Sequence, residues 1–130
     1  MLVIDAARRW KETWEHAWPR GDIDAIAALY APSANYRALA FRDPYRGVDG
    51  VRQYLRSNVE AESGVICRFG DPIASDTHAV VEWWASWEED GEAVSLAGVT
   101  LLRFDAGGLV VDHRDYWNQE PGRTQPYDGW

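Results

Sequence analysis

Apolar and polar positions divide the chain into a helical first part and a strand-rich second part. Ala6, Trp10, Trp14 and Trp18 recur every fourth residue among charged neighbours, a spacing that lays one apolar stripe along a helix. Pro19-Arg20-Gly21 stops this helix. Asp22 is a suitable N-cap for a second, shorter helix with Ile23, Ile26, Ala27 and Tyr30 on its apolar side. Ala31-Pro32-Ser33 ends that helix, and Ala34 to Leu39 reads as a short strand. A third helix starts at Asp49, carries Val51, Tyr54, Leu55 and Val59 at helical spacing, and closes at Ser63-Gly64.

From Val65 onward the pattern changes to the alternation of strands. Val65 to Ile73 and Ala79 to Trp87 are two strands, and Asp90-Gly91 is a tight-hairpin signal after which Val94 to Phe104 returns. Ala106-Gly107-Gly108 makes the next turn, and Leu109 to Asn118 is the last strand. Pro121, Gly122, Pro126 and Gly129 predict an irregular tail over residues 119–130. The order predicts one α+β domain over 1–130, with N-terminal helices packed on a curved, mainly antiparallel sheet.

Strand alternation also assigns faces. Leu109, Val111, His113, Asp115 and Trp117 share the more apolar side of the last strand, so they are expected to point at the helices. Ala79, Val81, Trp83, Ala85 and Trp87 form the inward set of one neighbour, and Val94, Leu96, Gly98, Thr100, Leu102 and Phe104 that of the other. The inward set of the last strand thus holds an imidazole and a carboxylate two residues apart. Burying an unpartnered carboxylate costs several kcal/mol. A His113–Asp115 pair is therefore either acid–base machinery or a structural hydrogen-bonded pair, with a tryptophan N–H as another partner for Asp115.

Composition narrows the choices. With 130 residues and 46% apolar letters the chain is long enough for one real core. Thirteen basic against 21 acidic residues leave a formal net charge of −8, which disfavours nucleic acid and anionic membranes as partners. Cys67 is the single cysteine, and no early stretch is apolar for long enough to be a leader or a span. Both point to a cytoplasmic protein. His16, His78 and His113 are the only histidines and none pairs at ligand spacing, so no metal is expected. No glycine-rich phosphate loop is present either, so no cofactor is implied. Eight tryptophans are the anomaly.

Three segments carry a family likeness. They are Gly21-Asp22-Ile23-Asp24-Ala25-Ile26 with Leu29-Tyr30-Ala31, then Arg46-Gly47, then Leu102-Arg103-Phe104-Asp105 with Gly108 running into Arg114-Asp115-Tyr116-Trp117. In order and spacing the chain resembles the nuclear transport factor two-like, or SnoaL-like, superfamily. The resemblance implies a cone of helices closing over a curved sheet, a small-molecule pocket, and homodimers formed through the sheet. Against ketosteroid isomerase, a member of that superfamily, the three catalytic positions fall on Trp14, Ala38 and Thr100, which excludes that mechanism. The same alignment turns Val81, Trp83, His113, Asp115 and Trp117 toward the pocket. Against limonene epoxide hydrolase, the catalytic aspartate matches Asp115 and a water-positioning tyrosine matches Tyr36. The arginine and second aspartate of that enzyme have no counterpart on the Ala79 to Trp87 strand.

These readings converge on a cofactor-independent isomerase, cyclase, dehydratase or hydrolase for a small apolar or aromatic substrate. Asp115 is the expected acid–base group, His113 its partner, and Tyr36 a donor to substrate oxygen. Trp14, Trp83, Trp117, Ala38, Val81, Thr100 and Leu55 are the expected walls. Trp84 and Trp130 are left for the outside, under a partner subunit. The alternative is a ligand-binding or dimerisation module with the same pocket and no turnover.

Overall fold

The structure, a computed structural model, describes residues 1–130. Helix α1 (Val3–Ala17) buries Ala6, Ala7, Trp10, Trp14 and Ala17 along one face. Helix α2 (Ile23–Ala27) is capped by Asp22, whose carboxylate accepts from the Ala25 amide at 3.1 Å. Strand β1 (Tyr30–Arg37) follows, then β2 (Tyr45–Arg46), helix α3 (Gly47–Ala61) and strands β3 (Ser63–Phe69), β4 (Ile73–Ala74), β5 (His78–Glu89), β6 (Glu92–Phe104) and β7 (Val110–Pro121). The strands form one open sheet in the order β2-β1-β7-β6-β5-β3, with β4 beside β5. Only the β1–β7 pair is parallel. The core of Trp10, Tyr36, Val51, Phe69, Val81 and Leu102 lies between helices and sheet.

Several boundaries differ from the sequence pattern, each for a tertiary reason. Tyr30 is not on α2; it is the first residue of β1, opposite Val110, and the Val110 amide donates to Leu29 O at 2.9 Å. Strand pairing overrides a weak helical period in a helix of five residues. Helix α3 starts at Gly47 instead of Asp49, because β2 is paired with β1 up to Arg46 and hands the chain directly to the helix. The strand expected to reach Ile73 ends at Phe69, and Ile73-Ala74 pairs separately with β5 beyond Pro72, which has no amide hydrogen for a ladder.

The last strand departs most. Across it Arg103 faces Asp112 but Phe104 faces Val110, so Val111 is an extra residue in the ladder. This bulge reverses the alternation. Val110 is therefore the fully buried residue and Val111 is only half-buried, which corrects the expected inward pair Leu109 and Val111. Beyond the bulge His113 and Asp115 point inward as expected.

The β5–β6 hairpin turns at Asp90-Gly91, both with positive φ (53° and 79°), the type I′ geometry its sequence predicts. Strand β7 extends to Pro121, past the expected start of the tail. The residues after it lie back on the sheet. Arg123 donates to Ser86 Oγ at 3.0 Å and Gly64 O at 2.9 Å, and the Trp130 indole donates to Glu82 at 2.7 Å. Trp130 and Tyr127 pack edge-on to Trp84 at 6.4 and 6.0 Å. The chain's own tail, not a partner, covers Trp84.

Gly98 sits opposite Trp117 across the β6–β7 ladder, and a Cβ there would lie 2.5 Å from Tyr116 O and 2.7 Å from Trp117 Cβ. Gly98→Ala should destabilise the fold by about 2 kcal/mol. Chemical denaturation checks this; an unchanged midpoint would show that the two strands are not so closely apposed.

Candidate active site

Asp115 and His113 occupy adjacent inward positions on β7, opposite Thr100 and Leu102 of β6. The aspartate is 9% exposed and the histidine 1%. A carboxylate so placed needs donors, and it has two. Thr100 Oγ1 donates to Asp115 Oδ1 at 2.6 Å, and His113 Nε2 lies 2.7 Å from the same oxygen. Thr100 in turn accepts from the Trp83 indole at 2.9 Å. The other carboxylate oxygen, Oδ2, has no protein partner, and Asp115 lines both the central cavity and the groove beside Tyr116 and Trp117. So one oxygen is anchored and the other is unpartnered.

His113 is held on three sides. Its Nδ1 is 2.9 Å from the Tyr30 hydroxyl, which also accepts from the Trp10 and Trp14 indoles at 3.1 and 3.3 Å. The Tyr36 ring stacks on the imidazole at 3.7 Å and 19°. Tyr36 makes no bond to Asp115; its hydroxyl lies beside that of Tyr54, and burial pushes both phenols well above their ordinary range.

The cavity has a volume of about 320 Å³ and is bounded mainly by aromatic and aliphatic side chains, near the lower end of roughly 300–1,000 Å³ usual for small-molecule sites. Trp14, Trp83, Ala38, Leu55 and Thr100 line it as expected. Val81 does not. It is 0% exposed and packed in the core, and at this level of β5 the longer Trp83 side chain forms the wall instead. Trp117 is a rim residue, not an inner wall: it is 36% exposed and its indole donates to Ala38 O at 3.0 Å, which ties β7 to the segment after β1.

A second carboxylate belongs to the same cavity. Glu62, just beyond α3, lines it and accepts from the Trp18 indole at 2.9 Å. Desolvation raises its pKa to about 7, with the charge of Glu89 adding to the rise and the Trp18 bond opposing it. Cys67 contacts Glu15 O at 3.6 Å, and burial pushes its thiol up to about 12, which leaves it inert. No three His, Cys, Asp or Glu side chains gather as a metal site, and no helix is long and apolar enough to cross a membrane.

The family model of the SnoaL-like domain matches residues 8–113. The chain belongs to the SnoaL-like family. It is 25% identical over 100 residues to the cyclase aurE of Calcarisporium arbuscula, covering 73% of this chain and 74% of that protein. Its fold is shared with SalBIII, described as an epoxide hydrolase/cyclase-like enzyme in pyran ring formation in the polyether salinomycin. There the TM-score is 0.75 at 21% identity, over 88% of this chain and 91% of that one. RV0760c from Mycobacterium tuberculosis is similar at a TM-score of 0.73 and 17% identity, over 92% and 96% of the two chains.

Two polar members of this SnoaL-like site carry no signal in the sequence. Tyr30 fits a helical period, and only the parallel pairing of β1 with β7 brings it to His113. Glu62 follows a helix and precedes Ser63-Gly64, where a solvated residue is the ordinary case. Because folding raises the Glu62 pKa from about 4.5 to about 7, the folded state holds a proton that the unfolded chain releases between those values. Stability should therefore fall as pH rises through that window, by about 2 kcal/mol after allowance for partial solvation. Glu62→Gln keeps an acceptor for Trp18 and removes the charge. Its melting temperature should match wild type near pH 4.5 and exceed it at pH 8; an equal offset at both pH values would refute the assignment.

Proposed function

We propose that this SnoaL-like protein is a cofactor-independent enzyme of the cyclase type, acting on a small, largely apolar or aromatic molecule through Asp115. The observation that carries the reading is the split carboxylate: Oδ1 held by His113 and Thr100, and Oδ2 without a protein partner, on a side chain that lines a cavity walled by indoles and phenols. A carboxylate oxygen left without a protein partner can accept a proton from a molecule bound beside it. The names of the relatives, a cyclase and an epoxide hydrolase/cyclase-like enzyme, agree with such chemistry.

In this reading Oδ2 takes a proton from an acidic C–H or O–H of the bound molecule. The electron pair released forms the ring bond to an electrophilic carbon of the same molecule, and a carbonyl or epoxide oxygen receives the displaced pair. Glu62, whose pKa desolvation raises to about 7, supplies a proton to that oxygen and takes one back from solvent. Trp14, Trp83 and Leu55 exclude water and fold the substrate against Asp115. Asp115 regains its charge when the proton passes on to solvent.

The ring opening of 5-nitrobenzisoxazole, which needs one base and releases a coloured phenolate, isolates the Asp115 step. The wild type should accelerate it, and Asp115→Asn should lose at least roughly a hundredfold of kcat/KM while keeping its fold by circular dichroism. Acceleration that Asp115→Asn keeps in full would overturn Asp115 as the base, and no acceleration by the wild type would favour the non-catalytic binding module.

We also propose a homodimer through the sheet. Leu39, Phe41 and Tyr116 form an exposed apolar surface on and beside its outer face, with Phe41 98% exposed. Sedimentation should give a dimer for the wild type and a monomer for Phe41→Glu with Tyr116→Glu. A wild-type monomer at high micromolar concentration would rule the dimer out.

A further inference from the structure

The Tyr30 hydroxyl has three hydrogen-bond partners, all buried: the Trp10 indole at 3.1 Å, the Trp14 indole at 3.3 Å, and His113 Nδ1 at 2.9 Å. An indole N–H is only ever a donor, whereas a hydroxyl has one hydrogen and two lone pairs. The two indoles fill both lone pairs. Burial pushes the Tyr30 phenol well above its ordinary range, so its hydrogen stays in place. That single hydrogen is then left for His113, and Nδ1 must be the acceptor.

The direction carries through the ring. With Nδ1 accepting, the imidazole proton sits on Nε2 and is donated to Asp115 Oδ1. A second chain converges on the same oxygen. The Trp83 indole donates to Thr100, whose hydroxyl hydrogen is thereby directed to Oδ1. Three indole N–H groups thus set the polarity of every hydrogen bond in the network, because none of them is able to reverse. A doubly protonated imidazolium would aim a second N–H at a hydroxyl with no free lone pair.

We propose that Tyr30 is a positioning residue that locks His113 in the neutral Nε2–H tautomer, which makes Asp115 the only proton acceptor of the pair. The catalytic part of this rests on the reading of Asp115 as the base; the tautomer itself does not. His113 orients Oδ1 and takes no proton from the substrate. The pair then carries one net negative charge in a cavity that also holds Glu62, and the site selects uncharged proton donors, such as phenols, enols and carbon acids, over carboxylates of the same shape.

Nitrogen-15 NMR of the ring-labelled wild type at neutral pH tests the lock without any substrate. The expected His113 signature is one protonated nitrogen, Nε2, and one hydrogen-bonded pyridine-type nitrogen, Nδ1. A protonated Nδ1, alone or together with Nε2, overturns the proposal. In Tyr30→Phe the Nδ1 signal should move toward that of a pyridine-type nitrogen without a donor; an unmoved signal also overturns it. With 5-nitrobenzisoxazole, Tyr30→Phe should lose roughly tenfold in kcat with little change in KM. The NMR outcome stands even if Asp115→Asn retains activity, so failure of the lock and failure of the base are distinguishable. Quenching of tryptophan fluorescence adds a third arm, in which 2-naphthol should bind at least tenfold more tightly than 2-naphthoate, and equal or reversed affinity contradicts the selectivity.

Discussion

The placement of the Asp115 carboxylate among aromatic side chains is the constraint on which the rest of this structure depends. An ionised side chain stripped of water is tolerated only where fixed donors replace the lost hydration. Asp115 meets that requirement on one oxygen alone, through His113 and Thr100. Each of those donors is itself held, His113 by Tyr30 and Thr100 by Trp83. The network ends in indole N–H groups, whose rings are also the apolar mass of the core. The indoles that end these hydrogen-bond chains are therefore also walls of the cavity.

This dual use accounts for most of the tryptophan excess. Trp10, Trp14 and Trp83 each bury a large ring and place one N–H on a polar atom of the site. Trp18 does the same for Glu62 while packing edge-on against Trp14 and Trp83. Trp87 completes the cluster beside Trp18 at 5.9 Å. Phenylalanine in these places would fill similar volume and leave the carboxylates and hydroxyls without donors. Outside the cavity Trp117 ties the rim to Ala38, and Trp84 and Trp130 anchor the tail.

The topology of the sheet brings these parts together. Strand β7 lies between β6 and the parallel β1, so Asp115 has Thr100 on one side while His113 meets Tyr30 and Tyr36 on the other. Parallel pairing of these strands makes everything from residue 38 to residue 109 their crossover. The bulge at Val111 sets the phase, placing Val110 in the core before the chain turns His113 and Asp115 inward. Three helices on an open mixed sheet then close the cavity.

The sequence by itself determined the class of fold, the order of the elements, the β5–β6 hairpin and the inward direction of His113 and Asp115. Those features rest on local chemistry: helical and alternating periods, a capping aspartate, a turn that tolerates positive φ. It also named Trp14, Trp83, Thr100, Ala38 and Leu55 as cavity walls, because a strand face or a helix stripe is a local property. Tertiary structure alone decided what these residues do to one another. Whether Thr100 is a wall or a donor, and whether Tyr30 belongs to a helix or lies against His113, depend on which strands pair and in what register. Val81 in the core, Trp117 at the rim, the tail over Trp84, and Glu62 kept partly protonated by burial belong with them. Distances of about 3 Å between residues some eighty positions apart leave no trace in a local pattern, since hydrogen bonds and desolvation act through space and periodicity acts along the chain.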